Sequence, residues 1–262
     1  FSAAAQAAGR RLRIHVKADT GMSRLGWLCD EGHRTEAADA IAAVCALPGL
    51  EVEGIYTHFA NADGDEAYTM GQFTRFLELL SELEGRGITF PIRHCAASAA
   101  VLKYPCTHLD MVRPGVALYG HYPDPSCEGL DGVGLRPVMA LKTRVASVKA
   151  VPAGTPVSYG CTHVLERDAE LAALTVGYAD GLPRLCSDRL EVLIRGQRAP
   201  IVGRVCMDMC MADATGLGAA PGDEVELFGE HLPVEDAAAL AGTIQYELLC
   251  AVSPRVPREY LN

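Results

Sequence analysis

The chain has 262 residues, 49% of them hydrophobic, and a formal net charge of −10. This length suits one large domain or two small ones, and the negative charge argues against a nucleic-acid partner, which would need a basic surface. No segment reaches the ~18 consecutive apolar residues that a membrane-spanning helix requires. The ten cysteines are scattered without C-x-x-C spacing, which indicates reduced, buried cysteines in a cytoplasmic protein and no metal site.

The first half of the chain alternates strand-like and helical patterns. The strand patterns cover residues 13–17, 52–57, 92–95 and 111–119, and the helical patterns cover residues 34–47, 68–84 and 98–104. This alternation predicts an α/β fold with a parallel sheet. Four such units amount to half of a (β/α)8 barrel, which typically needs ~250 residues. We expect residues 1–130 to form such a half barrel, which would need more chain to close.

The second half of the chain has a different pattern. Short strand patterns with Gly and Pro turns cover residues 141–151, 171–176, 192–195 and 225–228, and helical patterns are confined to residues 234–241. A polar, glycine-rich stretch at 121–134 separates the two halves. We therefore expect a mainly-β domain over residues 135–262.

The run KADTGMSRLG at residues 17–26 begins where the first predicted strand ends. The active-site groups of barrel enzymes gather at the carboxyl ends of the strands, which is where this run would lie. Arg24 could bind a carboxylate in bidentate fashion, with Lys17 nearby. An ordinary loop with solvated charges remains the alternative, because the run is mostly polar and glycine.

Three further runs follow or end predicted strands, so all three can face the same mouth of the barrel. They are YTHFA at 56–60, HCAASAA at 94–100 and MVRPGVALYG at 111–120. A lone histidine after a strand is more often structural than catalytic, so position alone does not give His58 a function.

The second half carries three compact glycine-containing runs. They are VSYGCT at 157–162, GYADG at 177–181 and GRVCMD at 203–208. A tyrosine beside glycine at the entrance to a β-rich segment can point its phenol into a cleft and act there as an acid or base. The structural alternative for Tyr159 is a ring buried in the β domain with a solvated hydroxyl.

Taken together and in this order, these runs resemble the alanine racemases. The first run is very similar to the family's K-x-D-T-G-M-x-R-L-G signature, and the last three resemble its C-terminal domain; the resemblance spans residues 13–258. It implies the C-terminal half of a barrel that binds pyridoxal 5′-phosphate, followed by a β-rich domain with a catalytic tyrosine. It further implies racemisation of a small amino acid, L-alanine to D-alanine, by two bases, in a homodimer whose active site is shared between subunits.

The resemblance also implies roles for individual residues. Tyr159 would be the base on one face of the substrate, and Arg24 and the backbone at Met207 would contact the substrate carboxylate. The cofactor would be bound by His58, Ser98, Arg113, Gly115 and Val116. Residues that support the site or line the substrate entrance would be Lys17, Tyr178, Arg184 and Arg204. Lys17 would hold Arg24 in place, with carbamylation of its amine left open.

Arg113 carries the clearest mechanistic implication of the resemblance. Arginine is always protonated and can only donate, so at the pyridine nitrogen it would keep that nitrogen unprotonated. The cofactor would then be a weaker electron sink, which suppresses side reactions such as transamination. His58 would link Arg113 to Tyr159 in a hydrogen-bonded chain. Gly115 would let the backbone approach the cofactor phosphate closely.

The sequence departs from the family pattern at three places. The family's Schiff-base lysine lies in a V-K-A-x-A-Y-G-H-type peptide, and no lysine of this chain has that context; the four are Lys17, Lys103, Lys142 and Lys149. We expect that lysine to be missing from this chain, which would be the latter part of a longer enzyme. Ala97 stands where the family usually has asparagine. Pro254 replaces a tyrosine that narrows the substrate entrance, which leaves serine open as a substrate.

Two other hypotheses remain open at this point. The chain could be the racemase domain of a larger, membrane-anchored serine/alanine racemase. It could also be a truncated, non-catalytic fragment that only dimerises or binds a ligand.

Overall fold

The computed structural model describes residues 1–132 and 134–261. The chain divides into two compact units, Phe1–Arg136 and Pro137–Asn262. The division falls just after the glycine-rich stretch at 121–134. Each unit has a hydrophobic core of its own.

The first unit contains a four-stranded, all-parallel sheet in the order β2-β1-β3-β4. Its strands are β1 (Leu12–Asp19), β2 (Trp27–Leu28), β3 (Leu50–Tyr56) and β4 (Ile92–His94). Its helices are α1 (Ser2–Ala7), α2 (Arg34–Cys45), α3 (Glu66–Gly85) and α4 (Ser98–Lys103), with short 3-10 turns at Pro105–Thr107, Val116–Tyr119, Pro125–Cys127 and Leu130–Gly132. The predicted alternation of strands and helices is thereby confirmed up to α4.

Helix α3 is the long helix that faces the loops of the site. The carboxylate of Asp65 caps its first turn by accepting a hydrogen bond from the Tyr68 N–H at 2.9 Å. Its apolar residues Phe73, Phe76 and Leu83 recur at helical spacing and are buried in the core of the unit. Their burial fixes the rotation of the helix about its axis and so determines which polar side chains face the loops after β1 and β3.

The predicted strand at 111–119 is wrong. Only Arg113 pairs there, in a single bridge to Ala97, and Val116–Tyr119 is a 3-10 turn. Pro114 has no N–H to donate to a sheet, so pairing cannot continue through it. Short apolar runs fit strands and helical turns equally well, and this one was misassigned for that reason.

The second unit is built on a six-stranded antiparallel sheet in the order β10-β9-β12-β5-β8-β11. Its strands are β5 (Leu141–Val151), β8 (Ala169–Leu174), β9 (Glu191–Ile194), β10 (Gln197–Pro200), β11 (Cys210–Asp213) and β12 (Glu224–Phe228), and a separate pair is formed by β6 (Pro156–Val157) and β7 (His163–Val164). A bridge between Ile201 and Ala212 links the two edges of the large sheet. The sheet thus curls towards a barrel, which removes exposed strand edges.

Two helices complete the second unit, α5 (Val234–Ala241) and α6 (Gln245–Ala251). The predicted helix at 234–241 is confirmed, and α6 was missed because a seven-residue helix is too short to show a helical period. Two 3-10 turns lie at Tyr159–Cys161 and Arg184–Cys186.

The cysteines and the helices test two expectations from composition. All ten cysteines are free, but Cys106, Cys161 and Cys250 are exposed, so the prediction of burial is wrong for these three. Among the helices in the described part of the chain, none combines the length and the apolar character that crossing a bilayer requires. Within residues 1–132 and 134–261, no group of three or more His, Cys, Asp or Glu side chains has an arrangement that could hold a metal ion.

Candidate active site

The loop after β1 is organised by Asp19. Its Oδ1 accepts hydrogen bonds from the N–H groups of Gly21, Met22 and Ser23, at 3.1, 2.9 and 3.0 Å. Burial opposes ionisation of this carboxyl group, but the three N–H groups nevertheless hold the pKa of Asp19 below its ordinary value. The charge of Asp19 is therefore used in folding the loop and is not directed at a ligand.

Helix α3 holds the same loop from the other side. The Tyr68 hydroxyl donates to the Gly21 carbonyl at 2.6 Å, and Arg75 Nη1 donates to the Thr20 carbonyl at 2.9 Å. With these contacts, the loop that joins the end of β1 to Arg24 has a defined path.

Lys17 lies near the carboxyl end of β1, with its amine inside the protein. Its Nζ is buried and has no hydrogen-bond partner among the described residues. Burial lowers the pKa of Lys17, and the nearby positive charges of Arg24 and Arg113 lower it further. Gly26 comes so close to this strand that a Cβ there would lie 2.6 Å from the Lys17 carbonyl oxygen, and its φ of +104° also favours glycine. A buried amine that has no hydrogen-bond partner and lies near two arginines is suited to binding an anion.

Arg113 is the centre of the first unit's site. Its Nη2 donates to the carbonyls of Thr57 and Cys95, at 3.0 and 3.3 Å, and to Nδ1 of His58 at 3.2 Å. Its Nη1 donates to Nδ1 of His94 in a short hydrogen bond. All of these contacts are made by the two Nη nitrogens, so the Nε–H takes no part in them. The predicted pairing of His58 with Arg113 is thus observed.

The two histidines that contact Arg113 are held neutral. Burial lowers the pKa of His58 to about 4, with further contributions from the positive charges of Arg113, Arg24 and Lys17. Burial likewise lowers the pKa of His94 to about 4, with contributions from Arg113 and His15. Three cationic side chains therefore surround His58, so a negatively charged ligand would be attracted to this place.

Gln72 is a site residue that the sequence analysis missed. Its Nε2 donates to the Thr20 hydroxyl at 3.3 Å and to the His58 carbonyl at 3.2 Å, and its Oε1 accepts from the Ala60 N–H at 2.8 Å. Gln72 is fully buried on α3 and ties the loop after β1 to the loop after β3. A glutamine beside Phe73 on the apolar face of a helix was the available signal.

The turn that follows Arg113 forms a cradle of N–H groups around Ser98, the first residue of α4. The Ser98 hydroxyl oxygen accepts hydrogen bonds from the N–H groups of Gly115 and Ala117, at 2.8 and 3.3 Å. A Cβ at Gly115 would find only the Ser98 oxygen within 4 Å, at 3.8 Å, so the space above this glycine is open. Val116 begins the 3-10 turn and is buried. The structure thus brings Ser98, Gly115 and Val116 together.

In the second unit, Tyr159 lies on a turn fixed by the run at 203–208. The Ser158 hydroxyl donates to the Arg204 carbonyl at 2.8 Å, and the Arg204 guanidinium lies so close to Gly160 that a Cβ there would be 3.0 Å from Nη1. The Tyr159 side chain itself is 72% exposed within the single chain. The alternative of a buried structural ring is therefore wrong.

The run at 177–181 joins the same group. The Tyr178 N–H donates to the Cys206 carbonyl at 3.0 Å, and the Ala179 N–H donates to the Met207 carbonyl at 2.9 Å. Tyr178 and Met207 are both about half exposed. The three glycine-containing runs of the second unit thus form one surface, although Ser158 and Arg204, which contact each other, are 46 positions apart in the chain.

Arg184 is attached to this surface through Ser187. The Ser187 hydroxyl donates to the Arg184 carbonyl at 2.5 Å and accepts from the Val205 N–H at 2.9 Å. An open pocket of about 460 Å³ lies beside the turn and is lined in part by Ser158, Tyr159 and Cys206.

The neutral histidines predict how stability depends on pH. The pKa values of His58 and His94 fall from 6.5 to about 4 on folding, so the unfolded chain binds more protons between these values. The free energy of unfolding should therefore be highest above pH 6.5. It should decrease as the pH falls from 6.5 towards 4, by up to about 3 kcal/mol for each histidine. Urea denaturation at a series of pH values measures this loss.

Two variants separate the histidines from other titrating groups. His58→Gln should flatten the slope of unfolding free energy against pH in this window. His33→Gln should not, because the hydrogen bond to Asp30 raises the pKa of exposed His33. An unchanged slope in His58→Gln would contradict the assignment of a neutral His58.

Comparison with known families matches both units. The family description "Alanine racemase, N-terminal domain" matches residues 1–123, and "Alanine racemase, C-terminal domain" matches residues 138–260. The alanine racemase of Desulforamulus reducens is 51% identical over 265 residues, which cover all of this chain and 70% of the relative. That of Methanococcus maripaludis is 46% identical over 264 residues, covering 98% of this chain and 69% of the relative.

Solved structures of alanine racemases are also similar to this chain. The alanine racemase from D-cycloserine-producing Streptomyces lavendulae is similar with a TM-score of 0.91 and 40% identity, over all of this chain and 69% of that protein. The biosynthetic alanine racemase from Pseudomonas aeruginosa is similar with a TM-score of 0.82 and 38% identity, over all of this chain and 71% of that protein.

Proposed function

This chain belongs to the alanine racemase family of pyridoxal 5′-phosphate-dependent isomerases, and we propose that it racemises alanine by a two-base mechanism in which Tyr159 is one base. We also propose that the parallel sheet of the first unit is the C-terminal half of a (β/α)8 barrel. The observation that carries the function is the cationic group of Lys17, Arg24 and Arg113 around a neutral His58. Such a group suits a cofactor phosphate and a substrate carboxylate.

The residues of the first unit fit pyridoxal 5′-phosphate. The N–H cradle at Gly115 has open space above the glycine, and the Ser98 hydroxyl can donate its own proton to a phosphate oxygen. The Nε–H of Arg113, which takes no part in the contacts made by the Nη nitrogens, is the proposed donor for the ring nitrogen. When bound, this cofactor makes the α-hydrogen of an amino acid acidic.

Arg113 determines the character of the cofactor site. A guanidinium donates and does not give up its proton, so a ring nitrogen that accepts from it stays unprotonated. The carbonyls of Thr57 and Cys95 hold the guanidinium in one orientation. Arg113 therefore selects a mild electron sink, which favours returning the proton to the same carbon over other outcomes.

Arg24 and the backbone at Met207 are each proposed to contact the substrate carboxylate, and Lys17 is proposed to support Arg24. Arg24 is exposed, and the loop that carries it is fixed by Asp19. An anionic group on the buried amine of Lys17, such as a carbamate, would hold the Arg24 guanidinium in place.

Tyr159 is proposed to move the proton on one face of the substrate. Its exposed ring lies on a turn that Ser158 and Arg204 fix, so the phenol has a defined direction at little conformational cost. The other face needs a second base, which in the family resemblance is the lysine that binds the cofactor.

We propose that none of the four lysines of this sequence is that residue. Lys17 lies in the loop signature, and Lys103 donates to the Asp63 carbonyl and the Ser126 hydroxyl at 2.7 and 3.0 Å. Lys142 pairs with Glu224 at 2.6 Å. The chain spans about 70% of the length of the relatives named above.

The test is a hydrogen-exchange assay on the purified chain with added cofactor and alanine in D2O. With Tyr159 as the only base, the α-hydrogen of one enantiomer should exchange and little of the other enantiomer should form. Borohydride reduction should leave no stable adduct on any of the four lysines by peptide mass spectrometry. An adduct on one of them, together with full racemisation, would overturn the missing-lysine proposal. Absence of both cofactor binding and exchange would favour a non-catalytic fragment.

We propose a homodimer in which Tyr159 enters the active site of the neighbouring subunit. The exposure of Tyr159 in the single chain supports this arrangement. Mixing unfolded Tyr159→Phe and Arg24→Ala chains and refolding them should then restore activity, to about one quarter of the wild-type value, because half of the dimers are hybrids with one intact site. If each site takes both residues from one chain, the mixture should stay as inactive as its components.

Serine is the second candidate substrate. Pro254 is exposed and stands where the family signature has tyrosine, so the entrance lacks one aromatic side chain. The same exchange assay with serine measures the preference, and a rate within about tenfold of that for alanine is expected from the small difference of one hydroxyl group. A serine rate a thousandfold lower would remove serine from consideration.

A further inference from the structure

A row of hydrogen bonds runs from Arg113 away from the site. Arg113 Nη1 bonds Nδ1 of His94, His94 Nε2 lies 2.7 Å from Nδ1 of His15, and His15 Nε2 lies 3.4 Å from Oε1 of Glu53. Glu53 also accepts from exposed Arg13 at 3.3 Å. The row crosses the sheet from β4 through β1 to β3 and ends at the surface.

The direction of every hydrogen bond in this row follows from Arg113. A guanidinium has only donors, so Nδ1 of His94 must accept. His94 is neutral, since burial and nearby positive charge lower its pKa to about 4, and its one ring proton must then be on Nε2. That proton is donated to Nδ1 of His15. The proton of a neutral His15 is therefore on Nε2, where it faces the Glu53 carboxylate.

The chain provides space for the His15 ring. A Cβ at Gly54 would lie 2.4 Å from Nδ1 of His15 and 2.6 Å from its Cε1, so only glycine fits at position 54. The pairing of β1 with β3 shifts by one residue at His15. On the other side, the Tyr56 ring stacks flat on His94, with centroids 5.0 Å apart and planes 2° apart. These features hold both imidazoles in one place.

We propose that His15 and Glu53 are positioning residues that fix the tautomer of His94 and, through it, the orientation of Arg113. The role of Arg113 towards the cofactor rests on the proposed function, but the hydrogen-bond directions do not. The row is not a path for proton transfer, because Arg113 at its inner end does not release a proton. Its hydrogen bonds all donate in one direction, from the Arg113 guanidinium outward to the Glu53 carboxylate.

Nuclear magnetic resonance of the full chain with 15N-labelled histidine tests the proposal directly. The sequence has eight histidines, so single His→Gln variants assign the spectrum. At neutral pH, His94 and His15 should both carry the proton on Nε2. A scalar coupling should connect His94 Nε2 with His15 Nδ1 across the hydrogen bond. A proton on Nδ1 of either ring would overturn the proposal.

Three variants test the positioning effect. His15→Phe keeps a ring but removes the acceptor, so the His94 ring proton should exchange with water faster and the Arg113 guanidinium, labelled with 15N, should rotate faster. His15→Asn places an amide oxygen near the position of Nδ1 and should restore both signals. His108→Gln removes a histidine of the same unit whose Nε2 lies 3.0 Å from the Val101 carbonyl oxygen, outside this row, and should change neither signal.

Activity gives a separate readout. If alanine exchange is observed, His15→Phe should lower its rate by about 3- to 10-fold, the effect of one hydrogen bond, and His15→Asn should recover it. Unchanged His94 and Arg113 signals in His15→Phe would overturn the positioning role whatever the activity. Changed signals in a chain without any alanine exchange would contradict the proposed function and leave the positioning role intact.

Discussion

Tyr159→Phe should lower the rate of α-hydrogen exchange from alanine by about 10²–10⁴-fold, which is the contribution typical of a general acid or base. Phenylalanine keeps the ring and removes only the hydroxyl. Because the side chain is 72% exposed, the substitution should not change the fold of the second unit. Cofactor binding should also be unchanged, since the cradle at Ser98 and the Arg113 guanidinium belong to the first unit.

The measurement is the exchange rate in D2O with saturating cofactor, followed by nuclear magnetic resonance of the alanine α-hydrogen. Tyr260→Phe is the matched control, because Tyr260 is an exposed tyrosine of the second unit outside the proposed site. It should exchange like the wild type. A Tyr159→Phe rate within threefold of the control would exclude Tyr159 as the base.

Arg113→Leu should lower the free energy of unfolding by about 3–5 kcal/mol, the loss expected when buried groups lose a charged donor. Leucine leaves the carbonyls of Thr57 and Cys95 without the N–H groups that now bond them at 3.0 and 3.3 Å. It also leaves Nδ1 of His58 and His94 without a donor. The same substitution should abolish specific cofactor binding, because it removes the donor for the ring nitrogen.

Denaturation in guanidinium chloride measures this loss at pH 7. Arg75→Leu is the control, since Arg75 is a partly buried arginine of the same unit whose guanidinium, among the described residues, donates to the Thr20 carbonyl at 2.9 Å. Its expected cost is about 1–2 kcal/mol. Equal costs for the two variants would show that the contacts of Arg113 do not stabilise the unit beyond those of an ordinary arginine.

Much of the fold could be predicted because the local signals were strong. The helical spacing of Phe73 and Phe76 predicted a helix where α3 lies. The strand pattern at 141–151 predicted a strand where β5 lies. The residues of the proposed site were chosen through their runs, and of these His58 contacts Arg113, with Lys17 and Arg24 close enough to lower the pKa of His58. The local conformation of a short run depends mainly on its own residues, so its pattern can be recognised without knowing what the run contacts.

Other features depend on residues that are distant in the chain. The turn at 116–119 has the sequence pattern of a strand. Pairing cannot continue through Pro114, and the N–H groups of Gly115 and Ala117 bond the distant Ser98 hydroxyl instead of a strand. The pair His15 and Glu53 had no local signal, and the position of Gln72 on the apolar face of its helix did not reveal its contacts, because the partners of these residues lie 12 to 79 residues away.

The sequence by itself determined most of the longer strands and helices, the change from alternating to mainly-β patterns, and the family, since these follow from local periodicity and from long, specific runs. Only the tertiary structure decided that His58 and His94 are neutral, that the Lys17 amine is buried without a partner, and that Tyr159 is exposed. The physical reason is that burial and hydrogen bonding arise from the folding of distant segments against each other. They set the charge of a side chain and its access to a ligand, neither of which a residue type carries alone.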